Sequence, residues 1–296
     1  MKRDRPLPEP IISHVSDTAR WVAVYRARET ERRDALFRDP LAARLAGERG
    51  LAIAAATPRA AVTGWSAVTR TKLIDDLVLD SVAQGCDRVV NLAAGFDTRP
   101  YRLALPRTLT WVEADLPALI DEKEHLLAGE TPACTLIREP VDLADSAARA
   151  DLVRRAVGGA ARALVITEGL VVYLDDVTVR ALARDLAAQA GIRWWVLDLL
   201  SPGIRAMISN GMGGRHPARA LVKFAPENGV AFFEGLGWRA REVSPIFRAA
   251  ARFHRAPLWM RALALLPGPD PRRLGKARWS AVVRLESVSI SENAGK

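Results

Sequence analysis

The chain has 296 residues, of which 49% are hydrophobic and 26% charged, and its formal net charge is +9. That length suits one large domain or a core domain with a cap, and the balance is that of a globular chain rather than a disordered one. No apolar run approaches the ~20 residues of a membrane span, so no membrane partner is expected.

Residues 1–6 are charged and no apolar run follows them, which is not the pattern of a signal peptide. Residues 1–68 are strand-poor and helical in pattern, a helical cap with Trp21, Val24, Leu36, Phe37 and Leu41 on its apolar faces. Arg70–Ala83 reads as a helix with Leu73, Leu77 and Val78 turned inward and Gly85 as its stop. Strands are then predicted at 88–94, 109–115, 133–138, 162–168 and 193–199, alternating with helices. The helix 176–190 starts behind Asp175 or Asp176, either a good N-cap, and carries Val179, Leu182, Leu186 and Ala190 on one face. Such alternation with apolar strands implies a parallel sheet covered on both sides. Two later segments, 237–243 and 279–285, alternate with period two and read as an antiparallel pair, separated by a largely helical insertion at 245–277. The fold class expected is α/β, a Rossmann-like, mostly parallel seven-stranded sheet with helices on both faces and a helical cap. Within one domain, residues 69–200 form the cofactor-binding core, 201–278 the substrate or lid region, and 279–286 the final strand.

The stretch from Val89 to Arg99 is the most informative. An apolar strand breaks at Ala93-Ala94-Gly95, and Asp115 ends the next strand, twenty residues after Gly95. In an open α/β sheet the first turn approaches a nucleotide-like ligand, and an acid about 20 residues on accepts ribose hydroxyls. The glycine pattern for a dinucleotide is broken, because Ala93 and Thr98 stand where two of its three glycines belong. A ligand without phosphates does not need them, and S-adenosylmethionine is such a ligand. Asp142 and Leu143, after the third strand, are placed to meet an adenine. Glu168 ends the fourth strand beside the crevice, and Arg70, ahead of its helix, could pair with a carboxylate.

The positive charge invites a nucleic-acid reading, but most of it is arginine dispersed among Ala, Leu and Val, without stacking aromatics. No nucleic-acid partner is expected. Residues 241–278 are the exception: Arg241, Arg248, Arg252, Arg255, Arg261, Arg272, Arg273, Lys276 and Arg278 face only Glu242 and Asp270. A solvated face and attraction of an acidic substrate are both readings of that segment. Cys86 and Cys134 have no metal-ligand spacing around them and read as core thiols, so no metal is expected and a reducing, cytoplasmic setting fits.

Several motifs together resemble the leucine carboxyl methyltransferase-like family, whose members include bacterial S-adenosylmethionine-dependent O-methyltransferases of polyketide and other secondary-metabolite pathways. They are Arg26-Ala27-Arg28-Glu29-Thr30, Leu36 to Ala42, Val90 to Arg99, Glu113 to Pro117 with Lys123, Val141-Asp142-Leu143, and Thr167 to Leu174. The resemblance covers roughly residues 16–240 and implies that Arg70, Gly95, Asp115, Asp142, Leu143 and Glu168 bind the cofactor. Ala93 departs from it, since the family usually has Gly there. The implied reaction is methyl transfer to a carboxylate or hydroxyl of a small, acidic or phenolic molecule. A protein C-terminal carboxylate as acceptor, and a cofactor-binding protein without turnover, remain alternatives.

An ionised carboxylate acceptor needs no base, whereas a hydroxyl benefits from one. None of the four histidines lies in a catalytic motif; His254, in the basic insertion, is the best base candidate, and Tyr173 could hydrogen-bond the substrate. Trp21, Tyr25, Met207 and Phe253 are the candidate substrate contacts, with Met212, Phe224, Phe247 and Trp259 as further apolar positions. The run Asn210 to Gly214 reads as a mobile loop.

Overall fold

The computed structural model describes residues 15–56, 64–209 and 222–288. Met212 and the run 210–214 lie outside the described residues.

Two helices, α1 (Val15–Thr30) and α2 (Ala42–Ala56), pack against each other and lead to α3 (Gly64–Ala83). Seven strands follow: β1 (Arg88–Leu92), β2 (Thr110–Asp115), β3 (Thr135–Pro140), β4 (Ala163–Thr167), β5 (Ile192–Leu200), β6 (Trp238–Pro245) and β7 (Ser280–Ser287). Their order in the sheet is β3-β2-β1-β4-β5-β7-β6. The first five run parallel, and β7 inserts antiparallel between β5 and β6. Each predicted strand is present, shifted by a few residues at its ends. The predicted terminal pair is β6 with β7.

Neighbouring side chains of a strand point to opposite faces, and the central strands of this sheet are buried on both. Val90 and Val112 join a core under the helices at 146–157 and 176–187, with Leu152, Leu182 and Leu186. Val89 and Trp111 join the opposite core with Leu73, Ile74 and Leu77 of α3. Each such fully buried aliphatic side chain stabilises the fold by roughly 1.5–3 kcal/mol. A third cluster, Ala23, Val24, Leu45 and Phe96, fastens α1 and α2 to the turn after β1.

Three expectations need correction. The helix predicted over 70–83 begins at Gly64, so Arg70 stands inside it rather than ahead of it. Tyr25 explains the earlier start: a Cβ on Gly64 would lie 2.5 Å from its ring, so glycine lets the new helix abut α1. The helix behind Asp175 ends at Ala187, short of Ala190, and Asp175 rather than Asp176 caps it, accepting from the Thr178 amide. The insertion is only partly helical, with short turns at Ile246–Arg252, Leu258–Arg261 and Ala262–Leu265. Pro257, Pro267, Pro269 and Pro271 lack the amide that would continue a helix.

Cys86 and Cys134 are both free and buried. Burial pushes each thiol up to about 11, the behaviour of inert core cysteines.

Candidate functional site

The carboxyl ends of β1, β2, β3, β4 and β5 carry Gly95, Asp115, Asp142, Glu168 and Asp198 on or just after the strand. The parallel register sets these side by side: Leu92 pairs with Ala114, Asp115 with Pro140, and Thr167 with Leu197. Ligands of open α/β sheets bind in the crevice at this edge.

The turn after β1 is built around two residues in the left-handed region, Ala93 (φ 58°) and Gly95 (φ 48°). Gly95 donates its amide to Asp115 Oδ2 at 2.7 Å, and the amide of Leu116 donates to Oδ1 at 2.8 Å. Both carboxylate oxygens are thereby aimed by the backbone and keep lone pairs for further donors. Burial raises the Asp115 carboxyl above its ordinary value, with the two amides opposing it.

α1 lies over this turn. A Cβ on Gly95 would meet Ala19 at 3.4 Å. The Arg20 guanidinium sits 5.3 Å from the Phe96 ring centroid and pairs with Glu122. Arg26 donates to the Phe96 carbonyl at 2.6 Å. The motif residues Arg26 and Asp39 thus act in support of the turn: Asp39, 1% exposed, accepts from the Thr98 hydroxyl at 2.6 Å and lies 3.4 Å from Arg26.

Behind the crevice stands a buried ionic network. Arg99 reaches Asp75 at 2.7 Å, Asp97 at 2.8 Å and Glu168 at 2.9 Å. Burial alone would raise the Asp97 carboxyl, but Arg99, Lys123 and Arg102 outweigh it and hold it down at about 2. Glu168 is likewise lowered, burial being overcome by Arg99 and Arg70. Arg70 completes the set, donating from Nε to Glu168 at 2.9 Å and from Nη1 to Asp198 at 3.0 Å. Asp198 also accepts the Gly169 amide at 2.6 Å. Arg70 is therefore a cation at the crevice whose charge is balanced by two carboxylates. Lys123, fully buried, is bound to Glu113 at 2.8 Å, with Arg138 3.1 Å from the same oxygen.

The remaining expected residues divide. Tyr173 stands in the short helical turn after β4 and packs, partly buried, against the core; burial raises its phenol, with Arg70 lowering and Asp198 raising it in turn. Asp142 is exposed and receives the Ala144 amide at 2.9 Å in the turn leading to the helix 146–157. Leu143 turns its side chain into the core, while its carbonyl accepts from Arg149 at 2.7 Å. Trp21 and Tyr25 are neighbours on α1, ring centroids 5.9 Å apart. Met207 lies half-buried on the helix 202–209. Phe253 packs against the core beneath α3 and under Arg252. His254 is exposed, in the left-handed region (φ 58°), with Nδ1 3.1 Å from Arg261 and its carbonyl held by the same guanidinium. Its lone pair is engaged at the surface, so the geometry gives it a turn-forming role.

Asp198, Asp75 and Asn91, whose side-chain amide donates to Asp97 at 2.7 Å, were not anticipated. Asp198 had a readable signal: it is the one carboxylate inside the otherwise apolar run Trp194 to Leu200.

A cavity of about 410 Å³ opens between α1, the start of α3 and the insertion, with walls that include Tyr25, Trp65, Val68, Arg28 and Arg255. Arg255 ties the insertion to α1, 2.7 Å from the buried Glu29 and 3.0 Å from Asp34.

Two solved structures share this fold. A protein of the DUF574 family from Streptomyces avermitilis is 14% identical, with a TM-score of 0.56 over 91% of this chain and 97% of its own. A provisionally named methyltransferase from Thermobifida fusca is 17% identical, with a TM-score of 0.50 over 82% and 89%. Among sequences, a protein of Streptomyces coelicolor is 35% identical over 77% of this chain and 84% of its own length. Another, from Streptomyces avermitilis, is 36% identical over 81% and 88%. Both are named provisionally as S-adenosyl-L-methionine-dependent methyltransferases. The profile of the leucine carboxyl methyltransferase family matches residues 19–187. By that match and these relatives, the chain belongs to the leucine carboxyl methyltransferase family.

Proposed function

We propose that this S-adenosylmethionine-dependent methyltransferase transfers its methyl group to an oxygen, carboxylate or hydroxyl, of a small molecule of secondary metabolism. The observation that carries the reading is the Asp115 carboxylate, aimed by two backbone amides into the turn at Gly95. The donor set fits the cofactor. Asp115 would hold the ribose hydroxyls and Arg70 the methionine carboxylate, while Glu168 and Asp198 supply negative charge for the ammonium and sulfonium. Asp142 and Leu143 are proposed to flank the adenine. Nothing in the set resembles a pyrophosphate cradle.

When bound, S-adenosylmethionine supplies a methyl group already activated by its sulfonium. The protein has to hold an acceptor oxygen about 3–3.5 Å from that carbon, in line with the bond that breaks, and to exclude water. An acceptor carboxylate is ionised at neutral pH and attacks without a base. A hydroxyl would have to lose its proton as the new bond forms. Tyr173, raised by burial, stays protonated and serves as a hydrogen-bond donor rather than a base. His254 has its Nδ1 turned to Arg261, so an ionised carboxylate acceptor, which needs no base, suits the site best.

The test is transfer of radiolabelled methyl from S-adenosylmethionine to a panel of aromatic acids and phenols, with the product then treated with alkali. Alkali-labile label marks an ester, and alkali-stable label marks an ether where the mass spectrum of the product places the methyl on oxygen; a methyl on carbon overturns the O-methylation reading. Label appearing only in added protein or RNA would overturn the small-molecule reading.

A further inference from the structure

The insertion between β6 and β7 carries an inference that goes beyond the methyltransferase reading and does not depend on it. We propose that this insertion is a docking surface for a bilayer of anionic phospholipid, its apolar turns entering the acyl boundary and its arginines meeting the head-group phosphates. The expectation of no membrane partner follows from the lack of a spanning run, and a segment that lies in the bilayer interface needs no such run.

Ten large hydrophobic side chains stand exposed among the described residues, and five of them fall within nine consecutive positions of the insertion. These five, Leu258, Trp259, Leu263, Leu265 and Leu266, are between 50% and 86% exposed, so they stand out from the surface rather than wall a groove. The other five sit singly, each on a different part of the fold, as is ordinary on a protein surface. Two successive short turns, Leu258–Arg261 and Ala262–Leu265, gather the cluster, and the Leu266 amide closes it on the Leu263 carbonyl at 3.2 Å. An exposed tryptophan among leucines, rimmed by cations, has the composition of an interfacial anchor.

The rim supplies the charge. Residues 246–278 hold eight arginines and lysines against a single acid, Asp270. Arg255 and Arg272 are matched by Glu29 and Glu234, whereas Arg248, Arg252, Arg261, Arg273, Lys276 and Arg278 form no ion pair among the described residues. Two of these are fixed beside the apolar turns: Arg248 donates to the Leu266 carbonyl at 2.5 Å and Arg261 to the Ala256 carbonyl at 3.1 Å. Arg248 also lines, with Ser244 and Arg252, a cavity of about 250 Å³. Two guanidiniums and a hydroxyl, tied through Arg248 to the end of the apolar cluster, match a phosphate whose acyl chains lie beside it. A second copy of this chain is the poorer occupant, because a two-fold contact through the patch would set the same unpaired cations against one another. An anionic bilayer meets the apolar tip and the cations together.

Co-sedimentation of the full chain with vesicles tests this, using phosphatidylcholine alone and an equal mixture of phosphatidylcholine and phosphatidylglycerol. The chain is expected to bind the anionic vesicles, to leave the neutral ones, and to be released as salt rises. Arg248→Gln combined with Arg252→Gln weakens binding roughly 25-fold, about fivefold for each basic residue near an anionic surface. The corresponding pair of lysine substitutions keeps most of it. Leu263→Ser combined with Leu265→Ser weakens binding at least about tenfold through lost apolar burial. Brominated acyl chains quench part of the tryptophan emission, and that part is absent in Trp259→Phe, which still binds. Every variant keeps the native melting temperature and affinity for S-adenosylhomocysteine. No binding to the anionic vesicles, binding that survives both double variants, or binding without quenching overturns the proposal. So does a dimer of the native chain that the Leu263→Ser and Leu265→Ser pair dissociates, since a second copy then covers the patch. Stabilisation by inorganic phosphate without vesicle binding would mark a free-anion pocket and overturn it as well.

Discussion

Replacing Arg99 by Met should cost the fold about 3 kcal/mol at neutral pH, and much less in acid. Arg99 is 2% exposed and is the shared cation of Asp75, Asp97 and Glu168. Removing one side of a buried ion pair typically costs 3–5 kcal/mol, because the other charge stays buried without compensation. The lower end applies here, since each acid keeps a second partner. Arg102 still holds Asp75 at 2.6 Å, Asn91 holds Asp97 at 2.7 Å and Arg70 holds Glu168 at 2.9 Å. Asp97 gives an independent figure. Its carboxyl lies at about 2 against an ordinary 3.8, which corresponds to about 2 kcal/mol of stabilisation at roughly 1.4 kcal/mol per pH unit. In the native protein that contribution is complete above the unfolded value near 4 and is lost as pH falls toward 2. In the variant Asp97 loses Arg99 while Lys123 and Arg102 remain, so less of that contribution is present at neutral pH and less is lost in acid. Urea unfolding followed by circular dichroism at pH 7 and about pH 2.5, inside that window, reads both numbers. A deficit that shrinks from about 3 kcal/mol toward zero between the two, with a loss of melting temperature of roughly 6–12 °C at pH 7, is expected. A deficit below ~1 kcal/mol, or one that is the same at both pH values, refutes the reasoning.

Other outcomes follow from the same geometry. Ala93→Gly should raise the melting temperature slightly, because an L residue in the left-handed region costs roughly 1–2 kcal/mol and the added chain entropy of glycine offsets only part of that. Gly95→Ala should lower it by a comparable energy and press a methyl against Ala19; scanning calorimetry showing the same sign for both variants would contradict the turn conformation. Affinity for S-adenosylhomocysteine should weaken as pH falls, beginning above the ordinary carboxylate range because the Asp115 carboxyl is raised, and Asp115→Asn should flatten that profile. Neither Cys86 nor Cys134 should react with a thiol reagent at pH 8 until urea unfolds the chain, since both thiols lie near 11; a thiol that titrates quickly in the native state would show that its burial is wrong.

What was legible in the sequence is what local periodicity encodes. Runs such as Val89-Val90 and Leu164-Val165-Ile166 bury side chains on both faces, and only central strands of a covered sheet do so. The carboxylates at strand ends were legible because the register of a parallel sheet carries them to one edge. Contacts between distant segments were not. Arg99 and Asp75 lie 24 positions apart and Arg255 and Glu29 226 apart, and no local pattern announces either pair. The local balance of the basic segment 241–278 is hidden for the same reason: Arg241 pairs with Glu286, Arg255 with Glu29 and Arg272 with Glu234, acids from elsewhere that meet three of its nine cations. His254 stood out as a histidine in a basic insertion, yet its neighbour Arg261 and its positive φ are tertiary facts. Arg70 was read at a helix start because the glycine that opens α3 is justified only by Tyr25.

The account stands on the cofactor crevice, and calorimetric titration of S-adenosylhomocysteine into the native protein and Asp115→Ala tests it most directly, with thermal melts confirming that both are folded. One site per chain in the native protein, weakened at least about tenfold (~1.4 kcal/mol) in the variant, is the predicted result. A folded native protein that binds no S-adenosylhomocysteine, or a variant that binds it equally well, would contradict the assignment of Asp115 and of the crevice around it.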